Sequence, residues 1–214
     1  LSAHGEIVRS HGGAIYSKEL SSTIFEPEYD YRAHSQTEEK RRVATVAAQQ
    51  IKNGQSIILD SGSATLEVAK CIKDRTNLTV VTNDIRIGME LSNISGIKLV
   101  ITGGVERKGF YTLIGPHAES LLEDLSVNTA ILGAYAINES GISTVSLIQV
   151  GVKRKIIQAA QKVIIVADYS KFGTSVFARV CSLDEIDEII TDDKVDPKYR
   201  EYLEKRGNLK ITIA

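Results

Sequence analysis

Cysteine is scarce in this chain: of 214 residues only Cys71 and Cys181 are cysteines, far apart and each beside apolar neighbours. Without a Cys-x-x-Cys pair or a Cys/His cluster there is no zinc pattern, and a reducing cytoplasm is the simplest home. Histidine is equally thin. His4, His11, His34 and His117 are scattered, three of them before position 35, so neither a metal centre nor a catalytic triad is expected. No apolar run approaches the roughly 20 residues that cross a bilayer, and no basic-then-apolar leader begins the chain, so neither membrane nor export is indicated. An excess of one charge is also missing. With 26 Lys and Arg against 27 Asp and Glu the net charge is -1, too little to draw polyanions, which argues against a segment whose main work is gripping nucleic acid. Small anionic ligands stay open. The only methionine is Met89, and a chain that opens at Leu1 is expected to be cut from something longer.

What is present is an ordinary globular composition, 43% hydrophobic and 25% charged, long enough to bury a core. Residues 1–35 read as irregular and polar, with Gly5, Gly12 and Gly13 and then Phe25, Pro27, Tyr29 and Tyr31: a short extended segment followed by a linker. From Ser35 the pattern is regular. Ser35-Gln36-Thr37-Glu38 has the spacing of a capping box, and Val43, Val46, Ala47 and Ile51 share one helical face before Asn53-Gly54. Short β-branched runs near 56–59, 78–81, 97–101, 129–132, 163–166, 186–190 and 209–213 then alternate with helical stretches near 64–72, 85–91, 116–122, 147–160 and 197–205. Apolar strands separated by helices predict a doubly wound α/β fold around a parallel sheet, with ligands in the crevice beyond the carboxyl ends of the strands.

The segments after the strands carry the candidate chemistry. Asp60-Ser61-Gly62-Ser63-Ala64-Thr65 joins a strand to a helix start, where free N–H groups, a partial positive charge and three hydroxyls make a phosphate cradle. It is neither a Walker loop nor a dinucleotide fingerprint. Thr82-Asn83-Asp84 and Thr102-Gly103-Gly104 end the next two strands on the same edge. A cation to balance a phosphate is available from Lys153, in the run Lys153-Arg154-Lys155, or from Lys171 in Asp168-Tyr169-Ser170-Lys171-Phe172-Gly173. Lys155 reads as a solvated helix residue, and Lys171, in a Gly-ended loop, is the favoured partner. Glu123 with Asp124 and Asp192 with Asp193 read as exposed helix ends and loops, and no carboxylate pair is set up for acid/base work.

Taken in order, the helix over 38–51, Leu59-Asp60-Ser61-Gly62-Ser63-Ala64-Thr65, Val80-Val81-Thr82-Asn83, Gly103-Gly104 and Asp168-Tyr169-Ser170-Lys171-Phe172-Gly173 resemble the DeoR family of bacterial transcriptional regulators over nearly the whole chain. The resemblance implies that Ile7-Val8-Arg9-Ser10-His11-Gly12-Gly13-Ala14 ends a winged helix-turn-helix domain, with Arg9 and His11 near the DNA backbone. It divides the chain into a wing remnant (1–14), a linker (15–35) and an effector-binding sensor (36–214). It also implies a fold of the ribose phosphate isomerase, glucosamine phosphate deaminase and coenzyme A transferase type, and a phosphorylated sugar or related metabolite as effector. Operator DNA would be read by an N-terminal domain upstream of Leu1, and a dimer or tetramer is expected. Carried over by position, the ligand-binding residues are Asp60, Ser61, Gly62, Ser63, Thr65, Thr82, Asn83, Gly103, Gly104, Lys153 and Lys171, with no catalytic residue, metal or cofactor.

One position departs from the family. A Glu-Ala pair usually stands four and three residues before the lysine, and here it is Gln149-Val150. An amide cannot serve as a proton-transferring base, which weighs against the alternative, a sugar phosphate isomerase or deaminase on the same fold. A module for oligomerisation alone is the third reading.

Overall fold

A computed structural model describes residues 7–10 and 13–16 as paired strands and residues 26–214 in full. His4, His11 and Phe25 lie outside the described residues. β1 (Ile7–Ser10) and β2 (Gly13–Tyr16) form an antiparallel hairpin.

Seven strands make the central sheet, all parallel: β3 (Ser56–Leu59), β4 (Leu78–Thr82), β5 (Ile97–Ile101), β8 (Val127–Gly133), β11 (Ala160–Val166), β13 (Glu188–Thr191) and β14 (Lys210–Ile213). Their spatial order is β14-β13-β11-β8-β3-β4-β5. Side chains alternate between the two faces with the period of two that an extended chain imposes. Ile57, Leu59, Ile131, Ile164 and Val166 face α2 (Thr37–Gln49), α3 (Ser63–Cys71) and α4 (Ile85–Leu91), whereas Ile58, Leu132, Val163 and Ile165 face α5 (Pro116–Glu123), α6 (Leu147–Gln158) and α7 (Pro197–Glu204). Each aliphatic side chain so buried contributes about 1.5–3 kcal/mol. The expected doubly wound α/β architecture is what the chain adopts.

The topology fixes where a site can form. From β3 the chain winds outward through β4 to β5, then returns to lay β8 on the other flank of β3 and winds away through β11, β13 and β14. The connections leaving β3 and β8 therefore diverge, opening a crevice at their carboxyl ends.

Several elements differ from expectation. Residues read as a linker include the helix α1 (Tyr29–His34), whose Tyr29 is buried in the core against Tyr111, with ring centroids 5.4 Å apart. Ser35 does not cap α2: its hydroxyl donates to Tyr31 O at 3.0 Å, and Gln36, in a left-handed conformation with φ 47°, occupies the cap position. Besides β1 and β2, five short strands of the described residues sit outside the parallel sheet. β6 (Val105–Arg107) and β7 (Thr112–Ile114) form a hairpin, and β9 (Ala136–Asn138), β10 (Gly141–Thr144) and β12 (Ala178–Cys181) form a small antiparallel sheet beside the crevice. Asp192 is not exposed; it is fully buried and accepts from the Tyr169 and Lys194 amides.

Candidate functional site

A cleft of about 510 Å3 occupies the crevice. Its floor is the ends of β3, β8 and β11, with Ser61, Gly62, Gly133, Ala134, Ala167 and Asp168; α1 and the start of α2 close one side, and β10 with the 174–176 loop the other. The loop is anchored by main-chain and hydroxyl bonds, Gly173 N donating to Ile137 O at 2.9 Å and Val176 N to Ser143 Oγ at 3.0 Å.

Four of the expected ligand residues line the cleft from β3 and α3 or beyond it: Ser61, Gly62, Ser63 and Lys171. Lys153 lines it as well, but its ammonium is already held by the Asp60 carboxylate, which is 1% exposed. Asp60 and Asn83 face a small adjoining space rather than the cleft. The other positions do not line the cleft. Thr82, fully buried, donates to Leu59 O at 2.8 Å and accepts from the Asp84 amide, tying β4 to β3. Thr65 is buried within the first turn of α3, donating to Gly62 O at 2.9 Å. Gly103 and Gly104 are exposed where β5 turns into β6, and they do not line the cleft.

The cradle itself is partly filled by the protein's own side chains. Ser61 N donates to Asn83 Oδ1 at 3.0 Å, and Gly62 N donates to Asp84 Oδ2 at 3.2 Å. The same Asp84 oxygen accepts the Ser61 hydroxyl at 2.7 Å, while Oδ1 caps α4 through the Arg86 and Ile87 amides. Burial pushes the Asp84 carboxyl up from its ordinary range, against the pull of the donors from Ser61, Ile87, Arg86 and Gly62. Asp84 and Asn83 thus act as internal anions and acceptors that shape the loop. The donors left for a ligand are the Ser63 hydroxyl and the α3 start at Ser63 and Ala64.

Sequence reasoning missed two of the cations that line this corner, Lys40 and Arg32. Lys40, on α2, is 5% exposed and donates to Arg32 O and to Ser35 O, the latter at 2.6 Å, closing the carboxyl end of α1. Burial lowers its pKa to about 8, with Lys171 and Arg32 pushing the same way and Asp168 and Glu67 opposing. Ser63 Oγ lies 3.5 Å from the same Arg32 carbonyl, so the α3 start and the Lys40 ammonium meet at one atom. Lys171 has its pKa lowered by burial, Asp168 opposing, and sits over the Tyr135 ring at 5.9 Å. Arg32 pairs with Glu26 at 3.0 Å. The signal for Lys40 was its place on the buried stripe of α2, where a lysine needs a reason to be.

Polar groups fill the far wall. Gln149, buried one turn before Lys153 on α6, lines the cleft with Ser143 and Thr144, and Thr144 Oγ1 lies 3.5 Å from Gln149 Oε1. Arg154 turns away to bind Val180 O at 2.8 Å, and the half-buried Lys155 pairs with Glu123 at 2.6 Å. Among the described residues there is no cluster of three metal-ligating groups and no helix long and apolar enough to cross a membrane. His34 and His117 are exposed.

Comparison with known proteins decides the family: the profile of the DeoR C terminal sensor domain matches residues 35–193. The chain belongs to the DeoR family. The HTH-type transcriptional regulator GlpR of Haloferax volcanii is 36% identical over 208 residues, 97% of this chain and 80% of that protein. The putative aga operon transcriptional repressor of Escherichia coli O157:H7 is 31% identical across 97% of this chain and 77% of its own length. The glycerol-3-phosphate regulon repressor of Escherichia coli K12 is 31% identical across 90% and 75%. Among solved structures, ribose 5-phosphate isomerase A of Methanocaldococcus jannaschii aligns with a TM-score of 0.49 and 18% identity, over 65% of this chain and 56% of that one. The DeoR family is one of transcriptional regulators rather than enzymes, and its sensor domain is the effector-binding part.

Proposed function

We propose that this DeoR-family chain senses a phosphorylated sugar or related phosphorylated metabolite in the β3–β8 cleft and reports it to an operator-reading domain. The observation that carries this is the charge left over in the cleft. Four cations line it, Arg32, Lys40, Lys153 and Lys171, against two carboxylates, Glu26 and Asp168. Glu26 answers Arg32, and Asp60 from beneath answers Lys153, so Lys40 and Lys171 share Asp168, whose Oδ1 already accepts from Ser170 N and Oγ. A dianionic phosphate beside the α3 start balances that excess, and the hydroxyls and amide of Ser143, Thr144, Gln149, Thr174 and Ser175 give a sugar its hydrogen-bond partners. The name of one relative, the glycerol-3-phosphate regulon repressor, points the same way.

On this reading residues 36–214 are the sensor, 15–35 the linker and 1–14 a wing remnant, which the hairpin of β1 and β2 supports. The protein works in the cytoplasm as a dimer or tetramer, repressing genes of sugar metabolism. Effector binding acts by favouring one arrangement of sensor domains over another.

A thermal-shift panel of sugar phosphates beside the free sugars tests it. An effector at about a hundred times its Kd stabilises the fold by roughly 2.7 kcal/mol, raising Tm by about 5–10 °C for a chain of this size. Free sugars that stabilise as well as their phosphates would remove the phosphate from the reading.

A further inference from the structure

The wall of the cleft nearest α1 contains a cation that is incompletely paired. The Arg32 guanidinium gives Nη1 to Glu26 and packs 5.3 Å from the Phe110 ring centroid and 5.9 Å from that of Tyr29, but its Nε is buried with no hydrogen-bond acceptor among the described residues. A buried donor of a charged group left without an acceptor is costly, and native structures seldom leave one without a purpose. Glu26 is itself shared, its other oxygen accepting from Arg107 at 2.5 Å, and Arg107 lies 3.6 Å over the Phe110 ring. One carboxylate therefore serves two guanidinium groups.

From this we infer that Arg32 is an effector-contacting residue carried by the linker side of the protein: the anionic group of the effector takes Arg32 as a partner and so fixes the position of α1. This rests on the phosphate reading of the cleft. The geometry converges on one short helix. The Arg32 side chain lines the cleft, and the Arg32 carbonyl accepts from Lys40 Nζ and faces Ser63 Oγ at 3.5 Å. An anion at the α3 start lies among Ser63, Lys40 and Arg32, so it competes with the Arg32 carbonyl for Lys40 while offering the part-exposed guanidinium a second acceptor beside Glu26. Both effects change how α1 is held. Residues 26–34 are the stretch through which anything upstream joins the body, so α1 is the element that the effector's charge biases.

Inorganic phosphate is the probe. Its Kd is measured on the full 214-residue chain by 31P NMR, and hydrogen exchange of the 29–35 amides is followed with and without saturating phosphate. The expected results are an Arg32→Gln Kd at least about tenfold weaker, the loss of one charge-assisted hydrogen bond, and slower α1 exchange in the wild-type chain on phosphate addition. Arg32→Lys, which keeps the charge and loses the fork, should fall between. The exchange experiment on the wild-type chain needs no variant and stands if Arg32→Gln fails to fold. Unchanged phosphate affinity in Arg32→Gln, or α1 exchange indifferent to phosphate, overturns the inference; if Lys171→Gln still weakens phosphate in that case, the phosphate reading survives it. A wild-type chain that binds neither inorganic phosphate nor any sugar phosphate overturns both.

Discussion

Lys153 and Asp60 neutralise one another at the point where the sheet changes winding direction. Asp60 ends β3 and Lys153 sits on α6, 93 residues later, with the ammonium also 3.4 Å from Gly133 O at the end of β8. The pair thereby fastens both sides of the crevice beneath the cleft floor. Replacing Asp60 by Asn leaves that ammonium without its counter-charge in a nearly closed site, and breaking a buried pair in this way costs about 3 kcal/mol. Urea unfolding of Asp60→Asn should show that loss, and the double variant Asp60→Asn/Lys153→Met should recover most of it. A loss below about 1 kcal/mol would mean the pair is not closed in solution.

Lys40 gives a stability effect with a defined pH window. Its folded pKa, lowered chiefly by burial to about 8, lies below the ordinary lysine value of 10.5. Below pH 8 the folded protein keeps Lys40 charged at its full penalty. Between 8 and 10.5 the unfolded chain holds the proton that the folded chain has released, so this residue's contribution makes stability rise with pH, by about 3 kcal/mol in all. Urea midpoints for the wild type and Lys40→Met should therefore differ in slope: the variant's relative advantage is greatest at pH 7 and shrinks toward pH 10.5. A difference that does not change with pH would place Lys40 in solvent.

Glu188 sets the acid limit. It is fully buried on β13, and its two oxygens accept from Lys162 at 2.7 Å, Lys210 at 2.9 Å, Gln50 at 2.9 Å and Thr212 at 2.6 Å. Burial acts to raise its pKa, but these donors outweigh it and hold the carboxyl at about 2, below the ordinary 4.5. A depressed carboxyl contributes stability that is complete above pH 4.5 and disappears as pH falls through 2, at most about 3 kcal/mol. Glu188→Gln should lower stability at pH 7 and flatten the acid limb between pH 4.5 and 2, read as urea midpoints across that range.

The parallel sheet was legible because its strands are apolar on both faces; Ile57-Ile58-Leu59 and Val163 to Val166 need no partner information to be read as interior. The sheet edge that carries the cleft followed from the alternation alone. What could not be read was the use of donors. Asp60, Asn83 and Asp84 carry the residue types of a ligand cradle, yet in three dimensions Asp60 neutralises Lys153, and Asn83 and Asp84 fill the Ser61 and Gly62 amides. Lys40 and Arg32 were hidden for the opposite reason, since their neighbours in sequence are ordinary helix residues and only the return of α1 over the cleft brings them to it. The strands β9, β10 and β12 are three or four residues each and owe their form to pairing with one another, which local periodicity does not encode.

Gly103 and Gly104 are adjacent glycines held to that residue type by different constraints. At Gly104, with φ +108°, an added Cβ would lie 2.5 Å from the Ile114 carbonyl oxygen in the β6–β7 hairpin, a rigid neighbour that cannot yield. At Gly103, with φ +70°, nothing lies within 4 Å, so alanine meets only the left-handed backbone penalty. Gly103→Ala should therefore cost about 1 kcal/mol, and Gly104→Ala about 3 kcal/mol or more, because contact and backbone strain add. Neither residue lines the cleft, so phosphate affinity measured by 31P NMR on the folded fraction should stay at the wild-type value for both. If Gly104→Ala instead keeps its stability and loses phosphate binding, the turn after β5 belongs to the effector site and the cleft boundary drawn from β3, β8 and β11 is too narrow.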